Sequence, residues 1–311
     1  MTKYLFIADV HIKLGQKNVP ETWQRNRFKL LANALKQLEY DTLIIGGDLL
    51  DVADPSIAEV GLLYEFLAAL SDKPIIVIPG NHEMVNKQLD CYIHVDKMLS
   101  DLNVTVIREF TTLDGIDYIP YNVIKQNFTP VSKVAVTHVR GEIPPHVEPE
   151  IDLAKFAEYD IVYAGDLHAK SNSQLNIVYP GSPMTTSFHR KESQGENGCY
   201  IFTGNNPPEW HDLKLPQLLR KSVTSQDEMV KTDYHHTIYE LHGSLEELAK
   251  VKGAELLDKK VTQDISAPPT LSMEGGIAGE LAEYLSVVKG IEEPTAYVGL
   301  LMEIIGSDNN Q

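Results

Sequence analysis

The chain has 311 residues, 43% hydrophobic and 23% charged, which suits one sizeable globular domain plus a smaller one. Its net charge of -17, from 44 acidic and 27 basic residues, argues against a protein that grips nucleic acid through its own basic surface. It leaves room for an enzyme in which bound cations or a partner meet a phosphate.

In chain order, five apolar, β-rich segments run straight into metal-type ligands. They are YLFI into Asp9-Val10-His11, TLIIG into Gly47-Asp48, PIIVIP into Gly80-Asn81-His82-Glu83, KVAVT into His138, and DIVYA into Gly165-Asp166-Leu167-His168. Continuous Val, Ile and Leu runs mark strands buried on both faces. Helical patterns lie between them. Residues 22–38 place Phe28, Leu31, Leu35 and Leu38 on one face. Asp54-Pro55 reads as a cap and first helical position for a helix reaching residue 70. A further helix is expected over 89–102. Strand and helix in alternation predict an α/β fold, which places its chemistry at the carboxyl ends of its strands.

After about residue 173 the pattern changes. Strands are expected over 176–179 and 198–203, followed by the breaker cluster Gly204-Asn205-Asn206-Pro207-Pro208. A small α+β cap follows, with a strand over 237–241 and a helix over 244–257. Beyond Pro268-Pro269 come apolar helical patterns at 277–289 and 296–305. The expected divisions are 1–204, 205–269 and 270–311. No run approaches about 18 apolar residues, so no membrane span is expected. A strand pattern starting at Lys3 is not a signal peptide. Cys91 and Cys199 are the only cysteines, which suits a reduced, cytoplasmic setting.

Taken singly, each of these residues has an ordinary explanation: a turn former, a cap, a satisfied polar group. Five strand ends carrying ligand types in series are another matter. Seven such side chains suit two divalent ions sharing a carboxylate, an arrangement used for phosphoryl chemistry. On this reading Asp9, His11 and His168 hold one ion and Asn81, His138 and Asp166 the other, with Asp48 bridging. His82 is placed to protonate a departing oxygen, since its ordinary pKa lies near neutrality. The mixed imidazole and carboxylate set favours Mn²⁺ over Mg²⁺.

The order Asp-x-His, Gly-Gly-Asp-x-x-Asp, Gly-Asn-His-Glu, lone His and Gly-x-x-His resembles the calcineurin-like metallophosphoesterase superfamily. The stretch IVYPGSP at 177–183, with Ser187-Phe188 and Glu196-Asn197-Gly198, is similar to SbcD-type recombination nucleases, in their shorter phage-type form. That resemblance implies a β-sandwich flanked by helices. It implies metal-dependent hydrolysis of DNA, as a 3′-5′ exonuclease on duplexes and an endonuclease on single strands or hairpins. It also implies a homodimer through helices near 55–70 and 89–102, and an SbcC-type ATPase partner, which the helices beyond 270 would bind. The resemblance carries the ligand roles to Asp9, His11, Asp48, Asn81, His138 and His168, and the catalytic role to His82. Where the family has Gly-His-x-His, this chain has Asp166.

Arg25, Arg27, Arg140, His189, Arg190 and Lys191 lie close in sequence to the motifs, where they could meet a DNA backbone. His211, His235, His236 and His242 read as incidental, and Asp51 is not read as a ligand. Two other readings remain. One is a small-molecule phosphodiesterase or protein phosphatase of the same superfamily. The other is a non-catalytic scaffold subunit, for which Asp166 is the sole sequence feature.

Overall fold

The apolar runs of the sequence become strands of two facing sheets in the computed structural model. The structure describes residues 1–145, 147–204, 206–232, 234–262 and 276–288, with 291, 293–295 and 297–299. In chain order the elements are β1 (Tyr4–Ile7), α1 (Glu21–Lys36), β2 (Thr42–Ile45), α2 (Ile57–Leu70), β3 (Ile75–Val77), α3 (Asp96–Asp101) and β4 (Val104–Val106). There follow β5 (Thr111–Leu113), β6 (Ile116–Ile119), β7 (Val134–His138), β8 (Ile161–Gly165), β9 (Ile177–Val178), β10 (Gly198–Phe202) and β11 (Glu209–Asp212). The described chain closes with β12 (Leu218–Val223), β13 (His236–Gly243), α4 (Leu245–Lys250), β14 (Leu257–Thr262) and α5 (Gly276–Glu283). No described helix is long and apolar enough to cross a membrane.

The first sheet runs β11-β10-β1-β2-β3-β4 and the second β5-β6-β7-β8-β9. Strands β1 to β4 are mutually parallel, as are β6 to β9. A third, three-stranded sheet has the order β12-β13-β14. The strand pleat sends alternate residues to opposite faces, and both faces of the first sheet are covered. Leu5, Ile7, Leu43 and Ile45 pack against Phe28, Leu31 and Leu35 of α1 and Leu63 and Phe66 of α2. Tyr4, Phe6, Ile44 and Ile76 turn the other way and join Tyr118, Val136 and Tyr163 of the second sheet. Tyr163 fills the middle of this sandwich, stacked on Phe202 at 4.1 Å and tilted against Phe6 at 5.6 Å. The outer face of the second sheet has its own cluster, including Ala135, Val162, Phe156 and Tyr179.

Several local expectations shift. Helix α2 is capped by Ser56, not Asp54: Ser56 Oγ accepts from Glu59 N–H, and the Glu59 carboxylate accepts from Ser56 N–H at 2.8 Å. That reciprocal pair satisfies two helix-end donors at once. The helix expected over 89–102 is split into a 3-10 turn at Cys91–His94 and the short α3. Asp90 caps the turn, and the Tyr92 hydroxyl is drawn inward to Glu83 at 2.9 Å. The helix expected over 244–257 stops at Lys250, and only its last residue, Leu257, belongs to β14. The first sheet also continues past the 204–208 break, because β11 pairs antiparallel with β10.

The chain forms two compact units. The larger comprises residues 1–241 and 252–259, the smaller 242–251 and 260–311. In the smaller unit α5 is followed by a π-helical turn at Tyr284–Val288. Most of the helix expected over 296–305 lies outside the described residues.

Candidate metal centre

Each expected ligand sits just past, or at, the carboxyl end of a parallel strand. Asp9 and His11 follow β1, Asp48 follows β2, and Asn81 and His82 follow β3. His138 ends β7, and Asp166 and His168 follow β8. The two sheets converge here through cross-sheet contacts. The Asp166 N–H donates to Asp9 Oδ1 at 2.9 Å, and Gly46 O accepts from His138 Nδ1 at 2.8 Å. The turns that aim the side chains are strained. Asp9, His11, Asp48 and Asp166 all have positive φ, at 58°, 48°, 52° and 100°. Such conformations cost of order 1–3 kcal/mol each and persist where the surroundings over-determine them. Gly47 has φ of 91°, and a Cβ there would run into the His138 ring. A Cβ on Gly80 would strike the Asp48 carboxylate.

All seven expected ligands and His82 form one continuous cluster. His11 Nε2 lies 3.2 Å from His168 Nε2, and His168 Nε2 lies 3.7 Å from Asp9 Oδ1. Asp48 Oδ2 is shared, 3.6 Å from His11 Nε2, 3.4 Å from His138 Nε2 and 3.9 Å from His82 Nε2. His138 Nε2 is also 2.8 Å from Asn81 Oδ1 and 3.8 Å from Asp166 Oδ1.

This arrangement fits cations. Gly46 O can only accept, so His138 carries its proton on Nδ1. In the neutral ring the Nε2 lone pair then faces oxygens of Asn81, Asp48 and Asp166, an array of acceptors that needs a positive charge at its centre. His11 and His168 likewise point ring nitrogens at each other. Asp9 Oδ2 is buried without a hydrogen-bond partner among the described residues. Burial pushes the Asp9 carboxyl up to about 7, the nearby Asp48 charge adding to the rise against the pull of His138. Burial also works against the Asp48 carboxylate, but His138 and His11 outweigh it and hold Asp48 well below the usual range. The His168 side chain is 41% exposed, and desolvation of its ring at the centre, with the His11 charge alongside, lowers its pKa from the ordinary value.

Asp166 differs from the rest. Arg140 donates to it twice, from Nε to Oδ2 at 2.9 Å and from Nη2 to Oδ1 at 3.3 Å. Among the other basic candidates, Arg27 is a correction: it is 2% exposed inside the fold, in no position to meet a backbone as a surface cation. Arg25 is paired with Glu21 one helical turn away, and Arg190 with Glu240 at 3.0 Å.

Sequence reasoning gave no role to Glu83. Its buried carboxylate accepts from the N–H groups of Asp48 at 3.0 Å, Leu50 at 2.8 Å and Gly80 at 2.8 Å. It thereby ties the turn after β2 to the turn after β3. An acid directly following Asn81-His82 is the only signal it left. Ser182, within the IVYPGSP stretch, donates to Asp9 O at 2.6 Å, and its own N–H donates to His168 O at 3.1 Å. Thr186 Oγ1 lies 3.1 Å from His168 Nδ1.

A family model described as calcineurin-like phosphoesterase matches residues 2–170. The chain is 42% identical over 308 residues to "Probable exonuclease subunit 1" of Escherichia phage T5, covering 94% of each chain. It is 26% identical over 234 residues to the DNA double-strand break repair protein Mre11 of Methanopyrus kandleri, covering 62% of this chain and 51% of that one. The crystal structure of Pseudomonas putida nuclease MPE aligns with a TM-score of 0.33 and 16% identity, over 64% of this chain and 84% of that one.

Proposed function

The chain belongs to the calcineurin-like phosphoesterase family, and from that premise we propose that it is the nuclease subunit of a DNA-processing complex. The observation that carries the reading is Asp48, one carboxylate oxygen set between His11 and His138, on two different sheets. Asp9, His11 and His168 would hold one divalent ion and Asn81, His138 and Asp166 a second, with Asp48 shared. Bound there, the ions would supply the Lewis acidity that polarises a phosphodiester. The names of two relatives, an exonuclease subunit and a DNA double-strand break repair protein, support DNA as the substrate.

The chain's own residues do the rest. Asp51 O, 2.6 Å from His82 Nδ1, can only accept, so that nitrogen carries a hydrogen. The exchangeable proton is then on Nε2, the nitrogen facing Asp48. The side chain is 40% exposed, so it reaches a substrate while staying beside the centre. Its role is to protonate the departing oxygen. Glu83 and Ser182 keep the ligand-bearing turns in register.

The finer parts of the proposal follow the resemblance, together with the mixed ligand set for the metal and the apolar C-terminal patterns for the partner. Mn²⁺ is preferred over Mg²⁺, and cleavage runs 3′ to 5′ on duplex ends with endonuclease action on single strands or hairpins. The protein pairs with itself through the faces of α2 and the 89–102 segment, and with an SbcC-type ATPase through residues beyond 270. The test is an assay on end-labelled duplex with Mn²⁺ or Mg²⁺, with and without such a partner and ATP. Metal-dependent shortening from one end, stimulated by partner and ATP, is expected. Undiminished cleavage in excess chelator would remove the two-ion reading.

A further inference from the structure

The segment that touches His168 leads on to a second site. Thr186 stands beside the His168 ring, Thr185 O accepts from Arg27 Nη1 at 2.8 Å, and the Phe188 ring lies 5.9 Å from that of His236. Trp23, on α1, completes an aromatic wall, its ring 5.3 Å from His236 and tilted by 46°. This wall borders a cleft of about 870 Å³, whose lining includes Asn18, Trp23, Asn26, Lys231, His236 and Thr237. Glu255 is the one carboxylate on that lining among the described residues.

Two polar atoms in and behind the cleft wall have no hydrogen-bond partner among the described residues. Thr237 Oγ1 is one of them, buried in a residue only 2% exposed. Arg27, against the back of the wall, keeps a buried guanidinium whose Nε is also unpartnered. Its charge lies 5.2 Å from the Trp23 ring centre, where a π face attracts it. Burial pushes the Arg27 pKa down to about 9. The aromatic wall is held in place: Trp23 Nε1 donates to Tyr234 O at 3.4 Å, and His236 Nε2 donates to Asn18 O at 2.5 Å.

A fixed aromatic wall with an exposed lysine on the lining and a buried guanidinium behind it suits a flat ring that carries a phosphate. We propose that this cleft binds one unpaired nucleotide of the DNA strand being processed, its base stacked on Trp23 and His236. Lys231, exposed on the lining, meets the adjoining phosphate. Thr186 and Phe188 are two residues apart, at most about 7 Å of chain, so one strand occupies both the cleft and the metal centre. Stacking is sequence-tolerant, since every base has a π face. It also suits a chain whose net charge of -17 repels a phosphate backbone. This assignment rests on the nuclease reading and gives it a single-strand requirement next to the cut.

The test is a fluorescence titration of the full chain in excess chelator. The probes are oligothymidylate and an abasic oligomer of equal length. Trp23→Phe identifies the Trp23 signal, because Trp210 is the only other tryptophan. Oligothymidylate should quench Trp23, and the abasic oligomer should not. Trp23→Ala should weaken oligothymidylate binding about tenfold, within the range of one stacked base. Lys231→Ala removes the exposed cation on the lining and should weaken oligothymidylate binding while the fold is retained. Both variants should hydrolyse bis-p-nitrophenyl phosphate, which has no base, at the wild-type rate. Equal binding of both oligomers, or unchanged affinity in both variants, would overturn the cleft assignment while nuclease activity stood. Hydrolysis of the small diester with no cleavage of any DNA would overturn the nuclease reading and this one with it.

Discussion

Arg140 holds Asp166 by both carboxylate oxygens, at 2.9 and 3.3 Å, at the mouth of the metal centre. The guanidinium therefore competes for the one residue that replaces the family's usual histidine. The pair is partly exposed, since Arg140 is 45% accessible, and such pairs contribute at most about 1 kcal/mol. Arg140→Ala should tighten divalent-ion binding about fivefold by freeing Asp166, as read by calorimetric titration with Mn²⁺. Asp166→Asn should weaken it. Unchanged affinity in both variants would show that Asp166 serves only to anchor Arg140.

Glu83→Gln should destabilise the protein by about 2–3 kcal/mol, because an amide nitrogen would face backbone donors in a closed site. Three backbone N–H groups and the Tyr92 hydroxyl now point at that carboxylate. Urea unfolding in chelator separates this effect from metal loss. Burial, together with the Asp48 charge, raises the Glu83 pKa against those hydrogen bonds. Stability equal to wild type would mean that the carboxyl is protonated in the fold.

His82→Ala should retain both ions by elemental analysis and lose about 10²–10⁴-fold in turnover, the usual contribution of a general acid. His82 lies close enough to His11 and Asp48 for the three to hold an ion together. Loss of one ion in the variant would make His82 a ligand and leave the proton donor to be found elsewhere.

Glu240 gives a pH prediction. Its hydrogen bond from Lys259 and the charge of Arg190 hold its pKa below the ordinary 4.5. The folded state therefore binds the Glu240 proton less tightly than the unfolded chain does. Stability from this group is present above 4.5 and drains away as pH falls through the lower, folded value. Glu240→Gln should lower the melting temperature near neutrality, and the gap to wild type should close as the pH drops below 4.5. A gap that stays constant from pH 7 to pH 3 would rule out the ionised carboxylate as its source.

What the sequence determined by itself was local. Apolar runs ending in Asp, Asn or His mark strand ends, because strand burial and the chemistry of the following turn are both written in neighbouring residues. Phe28, Leu31 and Leu35 of α1 were legible for the same reason, since a helix face repeats within a few residues. The breaks were harder. Ser56 displaced Asp54 as a cap, and the 89–102 pattern split, because Glu59 and Glu83 offered hydrogen bonds that periodicity does not register.

What only the tertiary structure decided was which strand ends meet. His11 and His168 face each other at 3.2 Å across 157 residues of sequence, one on each sheet. The sandwich that joins them is set by the packing of Phe6, Tyr163 and Phe202, not by any motif. Arg27 reads in the sequence like any exposed cation, and the fold closes Trp23, Phe28 and Thr185 around it. Residue type and spacing express the local preferences of a chain. Burial and long-range pairing depend on how all the apolar faces are satisfied together, and that balance exists only in the folded molecule.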